Sequence, residues 1–145
     1  MDLSPGVAEL PSLRHFTESD FEDIYEPSDD TWLFCDALLA DFSDISARQP
    51  SLALEIGPGS GAVCGYLALS FAQRHLPVPA IIACDVNPLA CLATLRTAAA
   101  NDISVIDVVN CDLVGAMRGR LSGIVDIMLF NPPYVPTPSD EVGIA

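Results

Sequence analysis

Between residues 51 and 130 the apolar positions fall into short solid runs separated by longer segments with helical spacing. The short runs are Leu52-Ala53-Leu54-Glu55-Ile56, Ala80 to Cys84, Val105 to Val109 and Ile124 to Phe130. Runs without strict alternation are those of strands buried on both faces, the kind found in parallel sheets. Between them the almost wholly apolar Ala62 to Ala72 reads as a buried helix, with Gly65 permitting close backbone packing. Asn87 and Pro88 form an N-cap and first-turn pair for a helix running to about Asn101, and Leu113 to Leu121 reads as a short helix or turn. Strand, helix, strand, helix in this order predicts an α/β fold with a parallel sheet and right-handed crossovers.

Upstream, Trp32-Leu33-Phe34 and Ala37-Leu38-Leu39 carry a helical pattern that starts near Pro27-Ser28 with Asp29 and Asp30 in the first turn. Residues 43–50, ending Arg48-Gln49-Pro50, read as a loop. Residues 1–24 have little periodicity and carry Pro5, Pro11 and an acidic run from Glu18 to Asp23, which predicts a mobile arm. Arg14 and His15 lie in it without sequence partners. Residues 25–145 are then a single domain.

Composition narrows the class of partner. The 145 residues are 50% hydrophobic, enough for a core, and 20 acids against 6 basic residues give a net charge of −14. All the basic residues are arginines, so no basic patch can be assembled, which speaks against a nucleic-acid partner. Cys35, Cys64, Cys84, Cys91 and Cys111 are odd in number and never spaced C-x-x-C, which favours reduced core thiols over disulfides or a metal site. No basic leader precedes an apolar stretch and no apolar run reaches membrane-spanning length, so the expected compartment is the cytosol, with the nucleus also open.

In an open parallel sheet, ligands bind beyond the carboxyl ends of the strands. Those ends carry Glu55, Asp85, Asp112 and Asn131, and the glycine turn Gly57-Pro58-Gly59-Ser60-Gly61 follows the first strand. A nucleoside suits such a rim, because its hydroxyls and exocyclic amine are donors that carboxylates and carbonyls accept. Carboxylates also gather at helix N-termini without any ligand. The spacing 57, 59, 61 is not the dinucleotide G-x-G-x-x-G, although Asp85, 24 residues after Gly61, keeps that reading open. No Gly-Lys-Ser/Thr follows, which removes a P-loop.

Asn131-Pro132-Pro133-Tyr134 ends the last apolar run. The prolines stiffen the backbone and remove two donors, leaving carbonyls that only accept. Asn131 adds an acceptor oxygen that takes up no proton, and Tyr134 a flat electron-rich face. The stretch therefore suits orienting an NH₂ group rather than deprotonating it. Asn-Pro also starts ordinary turns, so on the tetrapeptide alone both readings stand.

Taken together, Glu55-x-Gly57-x-Gly59-Ser60-Gly61, the later acids and Asn-Pro-Pro-Tyr resemble the class I S-adenosylmethionine-dependent methyltransferases, over roughly residues 23 to 143. Tyr25-Glu26-Pro27-x-x-Asp30-Thr31, Pro132-Pro133-Tyr134-Val135 and Glu141-Val142-Gly143 are similar to one branch, the eukaryotic and archaeal protein-glutamine N5-methyltransferases that modify the GGQ motif of peptide-chain release factor. The resemblance implies a Rossmann-like sheet of order 3-2-1-4 for the part present, incomplete at its C-terminal side. It implies that Thr31, Glu55 and Gly57 contact the cofactor's methionine end and that Gly59, Gly61 and Asn131 also bind the cofactor. Asp85 would hold the ribose, and Asp112 with Leu113 the adenine. Asn131, Pro132, Pro133 and Tyr134 would hold the glutamine amide. Pro58 departs from the serine or similar residue of the family and removes one loop N–H.

Two rival readings remain beside it: an adenine-N6 DNA methyltransferase, against which the charge speaks, and a non-catalytic module that keeps the cofactor half of the fold. With order 3-2-1-4, Val105 to Val109 is an edge guarded only by Asp107, where the resemblance implies a small zinc-binding activator subunit. Ile124 to Phe130 becomes the other edge. The expectation is a truncated form, poorly soluble or dependent on a partner, with cofactor residues present but catalysis weak or absent.

Overall fold

The computed structural model describes residues 8–132. Four parallel strands, β1 (Leu52–Ile56), β2 (Ala80–Asp85), β3 (Ile106–Asn110) and β4 (Ile127–Phe130), form one sheet in the order β3-β2-β1-β4. This is the 3-2-1-4 order of an α/β Rossmann-like methyltransferase fold. Helices α1 (Asp29–Ala47), α2 (Ala62–Ala72), α3 (Pro88–Ala100) and the short α4 (Arg118–Leu121) connect or flank the strands.

Registers across the sheet sort its side chains into two faces. Ala53, Ile81, Ile106 and Ile127 stand in one row, and Glu55, Ala83, Val108 and Leu129 in the next, on the same face. These rows pack with Val63, Leu67 and Phe71 of α2 and with Cys35, Leu38 and Phe42 of α1 in the main core. Phe42 meets Phe71 edge-on at 4.9 Å, and the Arg74 guanidinium covers Phe42 at 4.2 Å. α2 is apolar all round because it is sandwiched between the sheet and the other helices. A Cβ at its Gly65 would meet Pro11 at 3.5 Å, an ordinary contact, so close packing does not demand glycine there.

The other face carries Leu54, Ile82 and Met128, then Ile56, Cys84, Val109 and Phe130. Among the described residues, the α4 segment lies over part of it, around Leu54 and Met128. Both edges are as expected from the order: β3 shows Asp107 and Asn110 to solvent, and on β4 Met128 is 60% and Phe130 46% exposed.

Several boundaries differ from the sequence reading. α1 runs on to Ala47 through the stretch expected to be a loop, because Phe42 and Ile45 continue its buried stripe. β4 starts at Ile127 rather than Ile124, since Ile124 closes a turn onto Leu121 and Asp126 spends its side chain on Ser51 and Leu52. β3 is displaced by one residue, to Ile106–Asn110.

Residues 8–24, expected as part of a mobile arm, run along α2 and α3. Ser12 exchanges hydrogen bonds with the Asn101 side chain at 2.7 and 2.9 Å. Arg96 donates to Asp20 at 2.9 Å and to the His15 carbonyl at 3.0 Å, and its guanidinium covers Phe16. Ile24, with Phe16 and Phe21, packs on Ala90 and Ala93. His15, without a partner in the sequence, meets Thr97 Oγ1 at 3.1 Å. Among the described residues no helix is long and apolar enough to cross a membrane.

Candidate active site at the carboxyl rim of the sheet

The register Phe130↔Ile56↔Cys84↔Val109 puts Asn131, Gly57, Asp85 and Asn110 next to one another at the end of the four strands. Two residues earlier on β1, Glu55 lies on the helix-covered face, 3% exposed. Its Oε2 accepts from the Cys64 backbone N–H, inside the first turn of α2, at 3.0 Å. Burial raises the Glu55 carboxyl to about 7, the Cys64 hydrogen bonding works against that, and the negative charge of Asp85 adds to it.

The glycine turn between β1 and α2 is held from both sides. Gly57 N–H donates to Cys84 O at 2.8 Å, and Gly61 N–H to Pro58 O at 2.9 Å. From α3, Thr94 Oγ1 donates to Gly59 O at 3.2 Å and Thr97 Oγ1 to Ser60 O at 2.6 Å. Gly61 has φ +80, and a Cβ there would stand 3.0 Å from Thr94 Cα, so both conformation and space require glycine. By contrast, a Cβ at Gly57 or Gly59 would meet nothing within 4 Å. The outer side of the turn is open to a ligand.

Asp85 closes this turn onto α3. Its Oδ2 accepts from Gly59 N–H at 3.3 Å and its Oδ1 from Asn87 N–H at 3.0 Å. Asn87 caps α3 by accepting from Leu89 N–H at 3.0 Å. Asn110, which the sequence reading passed over, donates from Nδ2 to the carbonyls of Asp85 and Val86 at 2.9 and 3.0 Å. Its one signal was a polar residue directly after Val108-Val109. Asp112 and Leu113 follow in an exposed turn, where Leu113 holds φ +48, a left-handed conformation uncommon for a leucine.

At the β4 end, Asn131 and Pro132 are exposed, while Pro133 and Tyr134, and the Glu141-Val142-Gly143 stretch, lie outside the described residues. Asn131 Nδ2 donates to Asp30 Oδ2 at 3.0 Å, tying the loop to the first turn of α1. Thr31, the neighbour of Asp30, is buried, and its Oγ1 accepts from Ser28 N–H at 3.2 Å. Thus the glycines, Asp85 and Asn131 share one rim, with Glu55 buried beneath it, and Asp30 reaches the rim through Asn131. Asp112 and Leu113 sit past the end of the neighbouring edge strand. No contact joins Thr31 to the rim among the described residues.

The donor set fits an adenosyl cofactor. The rim offers carboxylates and carbonyls to ribose hydroxyls, an open glycine turn for close approach, and negative charge for a sulfonium. Four of the five cysteines, Cys35, Cys64, Cys84 and Cys91, are buried and all five are free thiols.

No family model matches the chain. It is similar to the Mus musculus protein named Methyltransferase HEMK2, 41% identical over 140 residues, which are 97% of this chain and 62% of that protein. It is also similar to the Schizosaccharomyces pombe eRF1 methyltransferase catalytic subunit mtq2, 33% identical over 91% of this chain and 59% of that protein. A Methanocaldococcus jannaschii protein named as a putative protein N5-glutamine methyltransferase is 32% identical over 82% of this chain and 51% of its own length. The chain therefore spans about three-fifths or less of the length of these relatives. Along nearly all of its residues the chain is thus similar to the HEMK2- and mtq2-type methyltransferases, and it carries a parallel sheet of order 3-2-1-4 with a glycine turn after its first strand.

Proposed function

We propose that the protein takes part in S-adenosylmethionine-dependent methylation of a glutamine side-chain nitrogen, with the GGQ motif of peptide-chain release factor as acceptor. The observation that carries this reading is the adjacency of Asn131, at the end of β4, to the open glycine turn after β1. Two of the similar proteins are named for eRF1 and for N5-glutamine methylation, which supports the choice of acceptor.

When bound, S-adenosylmethionine would supply an electrophilic methyl group. Asp85 would accept from the ribose hydroxyls, Glu55 with Gly57, Gly59, Gly61 and Thr31 would line the methionine end, and Asp112 with Leu113 the adenine. A carboxamide nitrogen is a poor nucleophile because its lone pair is delocalised into the carbonyl. Asn131 Oδ1 and the Pro132 carbonyl would each accept one of its hydrogens, fixing the nitrogen toward the methyl group and favouring the positive charge that develops on it. Pro133 and Tyr134 would complete that grip. No base is required before transfer. The exposed edge of β3 is the surface we assign to a small zinc-binding activator subunit, since its backbone groups are open to a further strand.

Replacing Asn131 with Ala tests the assignment. Methyl transfer to release factor should be abolished while calorimetry with S-adenosylmethionine gives a nearly unchanged affinity. Retention of most activity would sink it.

A further inference from the structure

Asp30 is the second residue of α1, yet its carboxylate closes on residues from two other parts of the chain. Oδ2 accepts from Asn131 Nδ2 at 3.0 Å, while Oδ1 accepts from Ser28 Oγ at 2.7 Å and from Tyr25 O–H at 3.0 Å. Tyr25 Oη and Ser28 Oγ are themselves 2.7 Å apart. Hydrogen bonds from Ser28, then Asn131 and Tyr25, hold the Asp30 carboxyl below its ordinary range, so it stays ionised at neutral pH.

An ionised carboxylate only accepts, so it can take the nitrogen end of the Asn131 amide and never the oxygen end. The amide therefore has one allowed orientation rather than two. With Nδ2 committed, Oδ1 is turned away from Asp30, and among the described residues nothing donates to it.

Asp30 is itself held from both sides. Ser28 N–H donates to Thr31 Oγ1, fixing the first turn of α1. Upstream, Asn87 Nδ2 donates to Asp23 O at 2.8 Å and Ile24 is buried against Ala90 and Ala93, so the segment entering Tyr25 is anchored on α3.

We infer that Asp30 is a positioning residue that fixes the Asn131 amide with Oδ1 outward, as the acceptor for a substrate NH₂, and excludes the flipped amide that would offer a donor instead. This deepens the reading of Asn131 given above and rests on it for what the outward oxygen grips. It also accounts for a polar network at an exposed position, where a simple strand end would need none.

Two measurements on the full chain separate the inference from that reading. In ¹⁵N-labelled protein the Asn131 side-chain NH₂ resonances are those lost in Asn131→Ala. In Asp30→Ala they should move to the position of a free amide, whereas unchanged resonances in that variant would overturn the inference, whatever the activity. In methyl transfer to release factor, Asp30→Ala should lower kcat by about 10- to 100-fold with the S-adenosylmethionine affinity unchanged within about twofold. Asp30→Asn keeps one acceptor oxygen and should recover part of the loss. In an Asn131→Ala background, Asp30→Ala should cost nothing further, and additive losses would count against a role through Asn131. If Asn131→Ala itself kept activity, the substrate reading would fall while the resonance shift still decided the contact.

Discussion

Glu55 is a group through which folding should sense pH between about 4.5 and 7. Its carboxyl is buried beneath the glycine turn, with the Cys64 N–H as backbone donor, and burial carries it from an ordinary 4.5 to about 7. In the unfolded chain it ionises near 4.5, so between 4.5 and 7 the native state holds a proton the unfolded state has released. The Glu55 contribution to native stability is therefore fully present below 4.5, falls as pH rises through this window, and levels off above 7. At about 1.4 kcal/mol per pH unit the loss amounts to roughly 3 kcal/mol, a large part of the stability of a small domain. Glu55→Gln keeps an acceptor oxygen for Cys64 N–H but carries no titratable proton. Its stability relative to the native chain should thus improve by roughly 2 to 3 kcal/mol between about pH 5 and about pH 8. Urea unfolding at each pH, followed by the fluorescence of Trp32, the only tryptophan, measures this difference. His15 acts in the opposite sense, because burial first, then Arg96, lower its pKa against a smaller effect of Asp20, but its contribution cancels when the two proteins are compared. Parallel stability curves for native and Gln variant would refute the account of Glu55 as a buried, proton-holding carboxyl.

Gly61→Ala should destabilise the fold by about 2 kcal/mol or more, since a left-handed alanine would press its Cβ against backbone at Thr94, whereas Gly57→Ala faces open space and should cost only the conformational strain. Thermal melts of the two variants compare them, and equal losses would show that the approach of α3 to the turn is unimportant. Asp85→Ala should weaken S-adenosylmethionine binding by about tenfold or more, because it removes the proposed ribose acceptor and frees Gly59 N–H. Calorimetry giving an unchanged affinity would remove Asp85 from the site.

The sheet was legible where burial on both faces left solid apolar runs. β1 and α2 agree with the expected limits to the residue, because the glycine turn marks the end of one and the start of the other. The 3-2-1-4 order was legible only through the family resemblance. The start of β4 was not legible, since Ile124 and Val125 are as apolar as the strand itself. What removes them is Asp126, whose Oδ2 takes Ser51 N–H at 2.7 Å and Leu52 N–H at 3.0 Å, while its own N–H goes to Leu52 O. A side chain engaged with the neighbouring strand in this way leaves no periodic trace. The end of α1 was misjudged for the reverse reason. Ser43, Asp44 and Ser46 look like loop residues, but they lie on the outer side of a helix whose buried stripe Phe42 and Ile45 maintain.

The candidate site divides along the same line between local and distant causes. Residues at strand ends can be placed from the runs that precede them, as Glu55, Asp85 and Asn131 are. Those that support them from elsewhere cannot. Thr94 and Thr97 are ordinary members of an amphipathic helix in sequence, and only the packing of α3 against the turn makes their hydroxyls donors to Gly59 and Ser60. Asp30 reads as a helix-dipole acid, which explains an acid in that turn but not why its carboxylate should meet a residue 101 positions away. The arm was harder still. Its polarity and prolines argue for mobility, yet it is stitched to α2 and α3 through Gln73, Asn87, Arg96 and Asn101, each contact costing the core nothing and giving the sequence no period. Apolar patterning encodes the platform, because burial must repeat with the geometry of strands and helices. The polar contacts that orient a site need recur only once, so they become visible only when the fold brings their ends together.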